Sequence, residues 1–328
     1  MNKKQSHYNF GIPILIGTVT TTRRQVSSTY CNWWLSKLFL FLLLLCILLV
    51  TRSSAHPGSG IVVDKYGQVF FTDTGQGVWK IDKQGKLTLI PASLFHSMTL
   101  DEYGYFAGSQ KSFGEWFERV TPQGSRPALI MCSDFPLTVN RDGNIYYADT
   151  RHSSARIVRR TPDGKESVLV SDKIFEYIAG IAAGPDGSLY IAENSRTEAN
   201  TIRKITMNGT VSIIATFIGN VSSKDLPSGT TSPSYCRGLA VDSLGFIYVA
   251  ATGSRSILKI TPGGMISTII QAPSPWSPTG VAVFHGEVYI LEWHDVAPSD
   301  EEVRKAWIPR VRKIGRDGKI ATLATVSR

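Results

Sequence analysis

The chain has 328 residues, 42% of them hydrophobic and 19% charged, with a formal net charge of +9. Such an excess would suit an acidic partner. Six of those nine charges, however, come from Lys3, Lys4, Arg23, Arg24, Lys37 and Arg52 in residues 1–55, which hold no Asp or Glu. The rest of the chain mixes both signs and has no basic nucleic-acid footprint.

The first predicted element is the apolar run Leu38–Val50, 13 residues long. A membrane span needs roughly 20 residues and a signal-peptide core about 7–15, so the run reads as an export signal. Small residues Ser53-Ser54-Ala55 follow it and suggest cleavage after Ala55. The stretch before the run is long for a signal, so an uncleaved signal-anchor helix with Trp33 and Trp34 at the interface stays open. In either case the basic residues before the run hold the N-terminus inside, and the later chain crosses. Arg23-Arg24 only weakly resembles a twin-arginine signal. An acid-free leader also fits a transit peptide, although the Leu block lacks an amphipathic pattern. Localisation is therefore expected to be secreted or extracytoplasmic, with membrane contact only through residues 38–50. Of four cysteines, Cys31 and Cys46 lie in the leader; Cys132 and Cys236 have no metal or redox spacing and read as two buried small residues.

From residue 58 a two-beat glycine pattern sets in. One series is Gly67, Gly104, Gly143, Gly187, Gly245 and Gly286, the other Gly85, Gly124, Gly164, Gly209, Gly264 and Gly318. A period of about 40 residues with several short strands per unit indicates a β-propeller. Strands are predicted over 61–63, 69–71, 78–81 and 87–90 in unit 1, and over 239–241, 247–249, 257–260 and 266–270 in unit 5. The first strand of each unit is continuously apolar, as befits the central axis, and the third and fourth alternate toward a wet rim. Asp142-Gly143, Asp163-Gly164, Asp186-Gly187, Asn208-Gly209 and Asp317-Gly318 supply the positive φ of tight hairpins. The expectation is an all-β protein, a six-bladed β-propeller of four-stranded blades over 58–328, with strands in the same order in every blade and no strand exchange closing the ring.

The segments Gly180-Ile181-Ala182-Ala183-Gly184-Pro185-Asp186-Gly187-Ser188-Leu189-Tyr190-Ile191 and Gly238-Leu239-Ala240-Val241-Asp242 resemble NHL repeats. Two insertions interrupt the pattern: 219–235, rich in Ser, Gly and Pro, and a longer one in unit 6. There Ser299 and Glu302 form a capping box that predicts a short helix over 300–307, a packing decoration or a lid over the channel mouth.

Propeller sites gather where the inner strands begin. The six lead-in residues are Ser59, His96, Phe135, Ala179, Arg237 and Thr279. A distant resemblance to gluconolactonase-type propellers implies a divalent metal such as calcium, held by Glu, Asn and Asp at these positions. None of the six is such a residue. A resemblance to the peptidylglycine amidating lyases implies zinc on several histidines, but only His96 matches. No cofactor is therefore expected. Arg237 carries a planar fork suited to a carboxylate or phosphate. Glu292-Trp293-His294 places an acid, an aromatic ring and an imidazole beside the unit 6 insertion. Asp73, Asp149, Glu193 and Glu292 each end a second strand, and are expected to accept loop N–H bonds or to pair with arginines such as Arg156 and Arg203. The expected function is a monomeric binding or scaffold module that takes a protein or small-molecule ligand at one mouth through His96, Arg237, Glu292, Trp293 and His294. The alternative is a hydrolase or lyase with His96 or His294 as general base and Arg237 stabilising an anion.

Overall fold

The computed structural model describes residues 57–327 apart from 110–111, 114–115, 123–126, 134, 152–154, 172–174, 196–198, 218–234 and 295–307. The leader, Gly124 and the helix expected over 300–307 lie outside the described residues.

Six antiparallel four-stranded sheets form a ring. Blade 1 holds β1 (Ile61–Val63), β2 (Val69–Asp73), β3 (Gly77–Ile81) and β4 (Leu87–Ile90). Blade 2 holds β5 (Ser97–Asp101), β6 (Ser112–Phe113), β7 (Phe117–Val120) and β8 (Ala128–Cys132). Blade 3 holds β9 (Leu137–Val139), β10 (Ile145–Asp149), β11 (Arg156–Arg160) and β12 (Glu166–Ser171). Blade 4 holds β13 (Tyr177–Ala183), β14 (Leu189–Asn194), β15 (Asn200–Ile205) and β16 (Val211–Phe217). Blade 5 holds β17 (Leu239–Val241), β18 (Ile247–Ala251), β19 (Ser256–Ile260) and β20 (Ile266–Gln271). Blade 6 holds β21 (Trp276–Phe284), β22 (Glu287–His294), β23 (Pro309–Ile314) and β24 (Ile320–Thr325). Inner strands β1, β5, β9, β13, β17 and β21 touch in cyclic order, and β21 returns to β1. Every described glycine of the two predicted series has φ between 75° and 89°, so the repeat is a repeat of turns.

The cores lie between blades, one at each seam. Ile61, Phe71, Leu291 and Trp293 join blades 1 and 6, and Phe70, Val78, Leu129 and Met131 join blades 1 and 2. Four further clusters fill the other seams. Each buried Leu, Ile, Val or Phe contributes about 1.5–3 kcal/mol, so the seams hold the ring together. The driest strands are β2, β8, β10, β14 and β18, each second from the axis and buried along its whole length because a neighbouring blade covers each face. The inner strands, expected to be the driest, are partly open where they border the channel, β17 most of all.

Blade 2 departs from the expected chain order: its strands run β5-β8-β7-β6 from axis to rim. The cause is local. In blade 1, Asp64 Oδ1 accepts the N–H groups of Tyr66 and Gln68 and returns the chain as β2. In blade 2, Asp101 accepts the N–H groups of Tyr105 and Phe106 instead, at 2.9 and 2.8 Å. That turn buries Phe106 and carries the chain outward, leaving β8 to pair with β5.

Among the described residues no strand is exchanged at closure. The segment 57–60 is latched instead. Thr279 Oγ1 and Trp293 Nε1 donate to Gly58 O at 2.7 and 3.2 Å, and Ser59 N and Gly60 N donate to His96 O at 2.9 Å each. Backbones also meet directly here: a Cβ on Gly280 would lie 2.4 Å from Ser59 O.

Candidate binding face

One end of the ring gathers the starts of the inner strands and the ends of the second strands. In blades 4 and 6 the inner strand continues past a β-bulge at Ala179 and at Thr279. A bulge bends a strand and re-aims its side chains. Here the extra residues lift Tyr177 and Trp276 onto this face, where Trp276 pairs across the ladder with His294. Between the inner strands lies a cavity of about 60 Å³, lined by Ser59, Ser97, Pro136, Ala179, Arg237 and Gly238 among others. Ligand pockets are usually about 300–1,000 Å³, so only the tip of a ligand enters the channel and the rest must rest on the face.

The acids ending the second strands are consumed structurally. Asp149 is fully buried and takes Arg151 and Arg156 at 2.8 Å each. Burial pushes its carboxyl up, but the hydrogen bonds from Arg151 and Arg156 outweigh this and hold it well below the usual carboxylate range. Glu193 takes Arg203 at 2.6 Å, Thr201 Oγ1 at 2.9 Å and Glu176 N at 2.7 Å. Glu292, also fully buried, takes Arg310 at 2.5 Å and both nitrogens of the Arg312 side edge. Asp73 takes Gly75 N and the Trp79 indole. The expected roles for this position, loop capping and arginine pairing, both occur.

Arginines stacked on aromatic rings cover much of the face. The Arg151 guanidinium lies 4.8 Å from the Trp116 ring, that of Arg237 5.5 Å from Tyr235, and that of Arg310 3.8 Å from Trp276. Tyr177 stacks on Tyr235 with ring centroids 6.5 Å apart. Burial pushes the Tyr177 phenol up to about 12.

The residues singled out in the sequence separate into two kinds. Trp293 and Glu292 are wholly buried and hold blade 6 to segment 57–60 and to its own third strand. His96, in blade 2, is half-buried, with Nδ1 2.9 Å from Ser133 O. His294 is half-buried and edge-on to Trp276 at 5.0 Å, and among the described residues its buried Nδ1 has no hydrogen-bond partner. Arg237 lines the channel and donates Nη1 to Pro57 O at 2.6 Å. Its buried Nε has no partner among the described residues. Phe135 turns into the seam between blades 2 and 3, and Pro136 lines the channel in its place. The calcium that the gluconolactonase resemblance implies does not fit. The lead-in side chains supply a guanidinium and no carboxylate, and among the described residues no cluster of three His, Cys, Asp or Glu could hold a metal.

Tyr177, Tyr235 and Trp276 escaped the sequence reading, which assigned one lead-in residue per blade. A signal was present: glycine follows the lead-in residue in four blades, as Gly60, Gly180, Gly238 and Gly280. A glycine that lets backbones touch marks the bend, and the aromatic residues three or four positions before it, Tyr177, Tyr235 and Trp276, mark the face.

No family model matches the chain, and no curated protein matches it. Solved structures do. An aldose sugar dehydrogenase from Streptomyces coelicolor, in its PQQ-bound form, has a TM-score of 0.52 at 11% identity, covering 80% of this chain and 97% of that one. A virginiamycin B lyase from Staphylococcus aureus has a TM-score of 0.47 at 17% identity, covering 85% and 86%. A gluconolactonase from Xanthomonas campestris has 0.49 at 15%, covering 72% and 84%. At these identities the likeness is one of fold, and fold alone carries no activity.

Proposed function

We propose that the protein is an NHL-type propeller working as an exported binding module, whose bulged face receives a protein or small-molecule ligand. One observation carries this reading. Of the acids that end the second strands on that face, Asp149, Glu193 and Glu292 are tied up by arginines and Asp73 by a loop N–H and the Trp79 indole, while Tyr177, Tyr235 and Trp276 stand beside the channel mouth. Aromatic and arginine side chains supply contact area and orientation at binding surfaces. The Leu38–Val50 run would deliver the module outside the cytoplasm, cleaved or anchored, and a monomer is sufficient for this role.

The alternative, a hydrolase or lyase, draws support from His294, an imidazole edge-on to Trp276 on this face whose Nδ1 has no hydrogen-bond partner among the described residues. The test is a thermal-shift screen of small acids, glycans and peptides on the full chain, with mass spectrometry of each hit after incubation. A hit recovered intact, and lost in Tyr177→Ala, supports the binding module. A hit recovered as product supports the enzyme and overturns the module.

A further inference from the structure

We propose that the mouth of the channel holds a carboxylate, clamped by Arg237 in place of the built-in acid that blade 5 lacks. This rests on the binding-face reading and names the group the face grips.

The strand registers identify the substitution. Asp149 pairs across its ladder with Arg156, Glu292 with Arg310, Glu193 with Thr201 and Asp73 with Gly77. The same rung in blade 5 is Ala251 opposite Ser256. Four blades thus carry a buried carboxylate at the end of the strand beside the inner one; blade 2 ends that strand on Cys132, and blade 5 carries a methyl group. Blade 5 is also the one whose lead-in residue is an arginine. Arg237 N donates to Ala250 O at 3.1 Å, which sets this arginine beside the rung.

Arg151, Arg156, Arg203, Arg310 and Arg312 on this face are each neutralised by an acid of their own blade. Arg237 is not: among the described residues no carboxylate pairs with it, and the other residues lining the cavity are uncharged. One nitrogen, Nη1, is held by Pro57 O. The opposite edge includes Nε, a buried donor without a partner among the described residues. An unmet buried donor on an uncompensated cation destabilises the free state, and a planar oxyanion relieves both terms at once. The cavity, about 60 Å³, admits a carboxylate and little more, so the body of the ligand stays outside, against Tyr235 and Tyr177. A planar or aromatic group next to the carboxylate suits that wall.

Two sources share this chemistry, a free organic acid and the carboxylate of a peptide. Calorimetric titration of the full chain at low ionic strength would use sodium benzoate against benzamide, and a short peptide with a free C-terminus against its amide. Binding of benzoate or of the free-acid peptide, with the neutral partner at least about tenfold weaker, is the expected result. The source is read from whichever of the two binds tighter. Arg237→Lys, which loses the fork, should weaken binding about tenfold. Because Arg237 also holds Pro57, Arg237→Met can unfold the chain. Ala251→Asp provides the second arm: it restores the internal acid, should keep the melting temperature and should abolish benzoate binding. The proposal is overturned if the amides bind as well as the acids, if inorganic phosphate binds tighter than benzoate, or if a folded Ala251→Asp protein still binds benzoate normally. Such a failure leaves intact any ligand found on the wider face. A face ligand that is chemically transformed would sink the module reading and leave the carboxylate clamp standing.

Discussion

Arg237, in the fifth blade, donates a 2.6 Å hydrogen bond to the carbonyl of Pro57, 180 residues earlier in the chain. Together with Thr279, Trp293 and His96 it makes segment 57–60 the meeting point of blades 1, 2, 5 and 6. Two donors share Gly58 O, so removing one leaves that acceptor satisfied. Trp293→Phe and Thr279→Val should therefore each cost about 1 kcal/mol through this carbonyl, and the double variant should exceed their sum because the buried acceptor is then left unmet. Urea unfolding of the four proteins measures the excess, and simple additivity would count against the shared latch.

Gly280→Ala should destabilise by about 1–3 kcal/mol or more, because the new Cβ meets the backbone at Ser59 O, which cannot rotate away. Gly85→Ala has open space around it and strain only from its φ of 79°. Its cost should be about 1–2 kcal/mol. A thermal melt in which Gly85→Ala proves the more damaging would refute the close packing at the axis.

The propeller was legible because its turns are written in residues that only turns need, Gly67 and Gly164 among them, and because the period survives unequal insertions. The acid–arginine pairing was legible too, since Asp149 and Arg156 stand on facing rungs at hairpin spacing. Blade 2 was not. Whether Asp101 caps two and four residues on, or four and five, depends on where Phe106 finds a core, and that is a tertiary fact. The bulges at Ala179 and Thr279 escaped for a similar reason: a single lead-in position per blade has no room for a strand that runs on past it.

Acid should weaken the protein through Asp149. Its folded pKa is depressed, so its contribution is complete at neutral pH and is lost as pH falls below about 4, the unfolded value, toward the lower folded one. Arg156→Met should cost about 1.5–3 kcal/mol at pH 7, since it strips one of two arginines from a buried carboxylate that Arg151 still holds. That cost should shrink on acidification below pH 4. Chemical denaturation at pH 7 and pH 3 tests the sign, and an unchanged cost at pH 3 would show that the pair is not the linked group.

Cys132 and Cys236 are both fully buried, and burial pushes the Cys236 thiol up to about 12. Because the thiolate is the reactive form, neither should be alkylated in the native state at pH 8. Peptide mapping after iodoacetamide, with and without denaturant, reads each position separately. Native labelling of Cys236 would mean that the seam between blades 4 and 5 opens.

Placing the core between blades rather than within them has a consequence in time. Strands β1 and β2 leave the ribosome with one flank bare, because Leu291 and Trp293, which pack against Ile61 and Phe71, are made more than two hundred residues later. Early blades can stack on one another as they emerge, but the first cannot be sealed until the sixth arrives. Throughout synthesis the growing protein is an open arc with two sticky ends, and the latch at Gly58 is among the last bonds to form.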